Sequence, residues 1–282
     1  MGVADFSMEK ALGSGFRVIA RNPAAIGVWA VFYLVVGLGP SMLLMPGLGH
    51  PMSADPQAAF TAISKMMVWM PFLWVLSLAH AAIAYGAVYR AVLTPEDGRY
   101  FYLRLSRQEL WLGLTLLVML VLFVAFTGVA AIIIGVLSRS VPGVVTFLAI
   151  VGALAVVVWL ALRLSMAGLM AFTERRFVLM ESWTLTQGLG WKLFGVAFCQ
   201  VVIILALELV VLLPTMLVLG LTGAFKGLAE AAKAGHPLAY PLPVIAAYLI
   251  VLPIFGALMY AILGGPWASI YQQIDGPRAE AA

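Results

Sequence analysis

Glu208 is a carboxylate set inside an unbroken apolar run, and His80 lies in the middle of another. An ionised carboxylate at the centre of a bilayer costs about 3 kcal/mol on a translocon scale. Such a group is expected to be protonated, paired, or turned toward a water-filled cavity. His80 is the residue that could pair with it, because imidazole changes charge near neutral pH. Gln200 falls two helical turns below Glu208. His80, Gln200 and Glu208 together form a candidate intramembrane polar site whose chemistry would be proton or substrate coupling. The plainer reading is a satisfied buried pair, or a Glu208 that reaches the outer interface.

A second constellation is the polar stretch Glu181-Ser-Trp-Thr-Leu-Thr-Gln-Gly-Leu-Gly-Trp-Lys-Leu193, which separates two long apolar runs. On a helix Ser182 neighbours Thr186, and Trp183 neighbours Gln187. Trp183 and Trp191 suit a membrane interface, where an apolar ring and a wet N–H are both satisfied. Gly188 and Gly190 permit a corner between a surface-lying helix and a spanning one, and Lys192 follows at its foot. The segment reads as an interfacial elbow. Its alternative role is a docking surface for lipid headgroups or a cytoplasmic partner.

Other chemistries find no residues. Cys199 is the single cysteine and lies in an apolar run, and His50, His80 and His236 are scattered. No haem or metal constellation, phosphate-cradling loop, nucleophile elbow or acid pair is present, so neither an enzyme nor a cofactor is expected. The formal net charge of +4 and pI near 9.3 do not point to nucleic acid, because the basic residues sit in short clusters beside apolar runs.

The elements that must position these groups follow from composition. Hydrophobic residues make up 64% of the 282 and charged residues only 10%, with a mean hydropathy of +1.07. A soluble domain carries about 25% charge, so the chain reads as an all-α polytopic membrane protein. Asp5 to Arg21 forms an amphipathic helix expected to lie in the interface, with Phe6, Met8, Leu12, Phe16, Val18 and Ile19 on its apolar face and Gly13 and Gly15 weakening it. Its charges leave no cleavable signal core. Asn22-Pro23 restarts the chain.

Six spans are expected at about residues 24–44, 66–89, 110–137, 144–162, 193–213 and 244–263, each long enough for a hydrocarbon core of roughly 30 Å. Gly39-Pro40 should bend or end the first. Pro214 should break the fifth, and Gly264-Gly-Pro266 should kink or end the sixth. Tyr100 to Arg107 is a short basic and aromatic segment at an interface, and a helical patch is expected around Lys226 to Lys233. Arg163 should snorkel and set topology. Ala82-x-x-x-Gly86 and Ala131-x-x-x-Gly135 allow close helix approach.

Of the 16 Lys and Arg, only Lys65, Arg139, Lys226 and Lys233 fall on the side opposite the termini. Positive residues favour the cytoplasm, which places both termini there. Each pair of spans follows an amphipathic piece (5–21, 100–108 and 177–190), a pattern of three helix-plus-hairpin units.

The motif Met180-Glu181-Ser182-Trp183-x-Leu185-Thr186-x-Gly188-x-x-Trp191-Lys192-Leu193-Phe194 resembles a signature of six-helix bacterial inner-membrane proteins. These are related to the family named after the membrane domain of glycerophosphoryl diester phosphodiesterase. The tail Pro266-Trp-Ala-Ser-Ile-Tyr271 is similar to how such chains end. The resemblance implies topology and not activity, since a phosphodiesterase of that kind needs a soluble catalytic barrel for which this chain has no room. The expected role is accessory or organising: basic amphipathic cytoplasmic segments engage membrane lipid or a membrane or cytoplasmic protein partner. The rival is a small permease or lipid-handling transporter working at Glu208 and His80.

Overall fold

The computed structural model describes residues 6–40, 56–227, 230 and 241–279. Every regular element among them is helical. Five helices are long and apolar enough to cross a membrane: Met67–Leu93, Arg99–Leu137, Gly143–Glu174, Gly190–Leu221 and Leu242–Asp275. A sixth crossing is added if the bent pair Met8–Arg21 and Pro23–Leu38 counts as one. The described residues are therefore all-helical, with several helices long and apolar enough for a multi-pass membrane protein.

Helix α1 (Met8–Arg21) starts where the Ser7 hydroxyl accepts from the Lys10 N–H, with Glu9 in its first turn and Arg21 in its last. These charges suit the helix dipole. Asn22 ends it and Pro23 opens α2 (Pro23–Phe32) after a turn of 91°. The chain continues as a π-turn, Tyr33–Leu38. Helix α3 is Pro56–Leu93 and α4 is Arg107–Leu137. Then come α5 (Gly143–Leu164), the short α6 (Ala167–Glu174) and α7 (Met180–Leu185), and α8 (Gly190–Leu221). Short α9 (Leu242–Ala246) and a π-turn, Ala247–Val251, lead into α10 (Leu252–Ala279).

Three expectations are corrected here. First, Gly15 of α1, expected to weaken the helix, is a packing contact. Ala11, Ser14, Gly15 and Val18 are buried, and the helix packs along the C-terminal half of α10. A Cβ on Gly15 would stand 2.6 Å from the Ala261 carbonyl oxygen, and one on Gly265 2.8 Å from Gly15 Cα. Gly15, read from sequence as a weak point, is what lets the two backbones touch. Second, α8 runs through Pro214 without a break. The Thr215 hydroxyl donates to the Val211 carbonyl at 2.7 Å, adding a donor beside the turn the proline leaves short. Third, α10 does not end at Gly264-Gly-Pro266 but remains helical to Ala279. In hydrocarbon, unwinding a helix exposes further polar backbone groups, so proline is absorbed.

Gly39 and Pro40, the expected bend or end of the first span, are still helical at the edge of the described residues, and most of the patch around Lys226 to Lys233 lies outside them. The Ala82-x-x-x-Gly86 seam is real: a Cβ on Gly86 would sit 2.8 Å from Glu109 Oε1 and 3.2 Å from Phe172. At Ala131-x-x-x-Gly135 no seam is seen among the described residues, none of which on another helix lies within 4 Å of a Cβ at Gly135.

Packing is uneven along the bundle. One buried cluster joins Phe6, Tyr89, Leu112, Met166, Leu169, Val178, Leu193 and Ile270, and another joins Val18, Ile26, Trp29, Val88, Tyr102 and Ala261. Both gather at the end that carries most of the basic residues. The far halves of α4, α5 and α8 are apolar and exposed, as Val121, Ile132, Leu148, Leu154, Leu209 and Leu213 illustrate. Such faces cost nothing against lipid tails, which are as apolar as they are.

Candidate functional site

The elbow at residues 181–193 is built around Arg163. Its guanidinium Nη1 donates to the Thr186 carbonyl at 2.8 Å. Its own carbonyl accepts from the Ser182 hydroxyl at 2.9 Å and from the Thr186 hydroxyl at 3.3 Å. Ser182 and Thr186 are buried, so the expected hydroxyl pair faces the end of α5 and not solvent. Trp159 and Trp183 meet edge to face at 4.8 Å, with Arg163 over both rings. Arg163 thus does more than snorkel: it fastens α7 to α5. Gly188 takes φ +77 and turns the chain into α8. Glu181 is held by Arg176 at 2.9 Å. That hydrogen-bonded guanidinium keeps its carboxyl below the usual carboxylate range. Trp191 and Lys192 project outward, Trp191 at 87% exposure.

This geometry sets a contrast. Ser182→Ala should cost about 1 kcal/mol, the net value of a buried hydrogen bond, seen as a thermal midpoint a few degrees lower in detergent. Trp191→Ala should leave the midpoint where it was. Equal losses would mean that the elbow is not seated as described.

A buried ion pair was not anticipated from the sequence. Arg90 at the end of α3 meets Glu109 in the first turn of α4, with side chains 5% and 0% exposed. Arg90 also donates to the Tyr102 carbonyl at 2.9 Å and lies 5.2 Å from the centre of the Phe172 ring. The second oxygen of Glu109 accepts from the Ser106 N–H at 2.8 Å and from the Ser106 hydroxyl. Ser106-Arg-Gln-Glu109 is a capping box, which satisfies orphan donors of the helix start.

Between these charges lies an unusual backbone. Tyr100, Phe101 and Tyr102 have φ of 52, 54 and 66. Left-handed residues with a Cβ cost roughly 1–2 kcal/mol each, so three in succession require firm anchors. Trp29 Nε1 donates to the Phe101 carbonyl at 2.8 Å and Arg90 to that of Tyr102. The Tyr102 hydroxyl donates to the Pro95 carbonyl at 2.9 Å, and Arg104 grips Asp97 at 2.6 Å.

The proposed trio His80, Gln200 and Glu208 is not brought together. His80 is buried in an aromatic cage, 5.0 Å from Phe32, 5.3 Å from Tyr33 and 5.4 Å from Tyr260 by ring centres. The Tyr260 hydroxyl lies 3.3 Å from its Nδ1, and Nε2 has no hydrogen-bond partner among the described residues. Gln200 is buried and spends its amide on α10, donating to the carbonyls of Ile262 and Leu263 at 3.0 Å each. Glu208 lies in a groove of about 510 Å³ with Leu205, Leu209, Leu212, Leu213 and Met216. No hydrogen bond or ion pair joins His80 to Glu208 among the described residues. His80 packs against α2 and α10, whereas the groove at Glu208 is lined by residues of α8.

Among the described residues no group of His, Cys, Asp and Glu is placed to hold a metal ion. No protein family, curated protein or solved structure matches the chain.

Proposed function

We propose that the protein crosses a bacterial inner membrane six times with both termini in the cytoplasm. There it has an accessory, organising role, engaging anionic lipid through its basic amphipathic cytoplasmic segments. The likeness of its 180–194 motif to six-helix inner-membrane proteins agrees with that topology, as does a pattern of three helix-plus-hairpin units. The observation that carries the reading is the coincidence of rigidity and charge. The packed core and the elbows occupy the end where Lys10, Arg17, Arg21, Arg99, Arg107 and Lys192 are exposed. Cations near the surface of an anionic leaflet gain about 1 kcal/mol each.

Extraction into polymer-bounded discs followed by lipid mass spectrometry tests it. Phosphatidylglycerol and cardiolipin should be enriched over the bulk membrane, and Lys10→Gln with Arg17→Gln and Arg21→Gln should lower that enrichment. Discs with bulk lipid composition would sink the reading.

A second reading, a small permease or lipid-handling transporter, draws on Glu208, whose carboxylate has no hydrogen bond or ion pair among the described residues. An intramembrane ionisable group of this kind is a functional candidate by default. Transport of a polar solute requires water at Glu208, so a water-soluble carbodiimide should label it, and Glu208→Gln should abolish the label. Labelling by a hydrophobic carbodiimide alone would remove the transport reading.

A further inference from the structure

The turn between α3 and α4 holds three left-handed residues, and its anchors serve to aim side chains outward. Tyr100 is 79% exposed and Phe101 44%, followed by Leu105 at 74% and Leu110 at 65%. A relaxed turn has no need of this: Tyr102 folds inward, its carbonyl accepting from Arg90 and its hydroxyl donating to the Pro95 carbonyl, while among the described residues the side chains of Tyr100 and Phe101 make no hydrogen bond. Strain kept in place by surrounding contacts is a mark of functional segments.

Charge is distributed to match. Of the basic residues here, Arg90 is committed to Glu109 and Arg104 to Asp97. Arg99 and Arg107 are exposed and make no hydrogen bond or ion pair among the described residues, and in the chain they flank Tyr100, Phe101 and Leu105. Apolar side chains between cations match the two layers of a membrane interface: tails below, phosphates above. Arginine is the cation that forks onto phosphate oxygens.

We infer that residues 99–110 form an anionic-phospholipid site. Tyr100, Phe101 and Leu105 enter the headgroup and upper acyl region, and Arg99 and Arg107 take the phosphate of a lipid with a net negative headgroup. This rests on the lipid-engaging reading above and names one place where it happens.

The test uses the full chain with Cys199→Ser and Leu105→Cys, carrying a bimane label, in nanodiscs of phosphatidylcholine. Spin-labelled phosphatidylglycerol or spin-labelled phosphatidylcholine is added at equal mole fraction. The expected result is at least twofold stronger quenching by phosphatidylglycerol, reduced by added salt. Arg99→Gln with Arg107→Gln should bring the ratio to one at an unchanged thermal midpoint, and Arg99→Lys with Arg107→Lys should keep part of the preference. Equal quenching by both lipids in the unaltered pair overturns the site, and so does quenching by neither, the result expected if a protein partner covers the segment. Lipid mass spectrometry on the same protein separates the two ideas. Enrichment of anionic lipid with a ratio of one defeats this site alone, and loss of both defeats the broader reading as well.

Discussion

Glu109→Ala should destabilise the protein by about 3–5 kcal/mol, the usual cost of removing one partner of a buried ion pair. The variant leaves Arg90 with its side chain only 5% exposed and a single remaining acceptor, the Tyr102 carbonyl. It also removes the carboxylate half of the capping box at Ser106, so the start of α4 loses a bond to its Ser106 N–H. The position of Arg90 over Phe172 supplies some attraction to the ring face, about 2 kcal/mol or more when desolvated, but it does not neutralise the buried charge. Arg90→Met with Glu109→Leu should recover most of the loss, because no unpaired charge is then buried. Thermal and denaturant unfolding in detergent read both variants. A Glu109→Ala midpoint equal to that of the parent would show that the two side chains are not joined in the folded protein, and the double variant guards against a general intolerance of change at position 109.

The same pair shows where sequence reasoning stops. Ser106 and Glu109 stand at the spacing of a capping box and announce the start of α4 on their own. What the spacing cannot announce is that the other carboxylate oxygen meets Arg90, because that contact depends on how α3 and α4 dock. The spans themselves are legible, since hydropathy is a local property and the hydrocarbon thickness sets the length. The elbow after Arg175 is legible too, with Gly188 placed where a left-handed turn is needed. Prolines and glycines mislead, because their local cost is read without the partner that offsets it. Gly15 looks like a weak point until Ala261 and Gly265 arrive beside it. Glu208 and His80 invite pairing by their rarity, yet the faces they occupy are set by neighbours far along the chain. Gln200 is the most instructive of these, for the residue that explains it is Pro266.

Pro266 has no N–H, so in a continuous helix the carbonyl four residues earlier, that of Ile262, loses its intrahelical donor. Gln200 Nε2 stands 3.0 Å from that oxygen and 3.0 Å from that of Leu263. The amide of α8 therefore replaces the hydrogen bond that the proline of α10 removes, at a buried site where an unmet carbonyl costs about 1–3 kcal/mol. Gln200→Leu should destabilise the protein by about that amount. In a Pro266→Ala background the backbone N–H regained at that position reaches the Ile262 carbonyl, and the same Gln200→Leu change should then cost less than about 1 kcal/mol. Pro266→Ala alone has opposing parts: it restores a helix bond and removes a fully buried ring. The coupling between the two changes is therefore the diagnostic quantity, not either single effect. A four-variant cycle of thermal stabilities measures it. An equal cost of Gln200→Leu in both backgrounds would mean that Gln200 does not serve the proline.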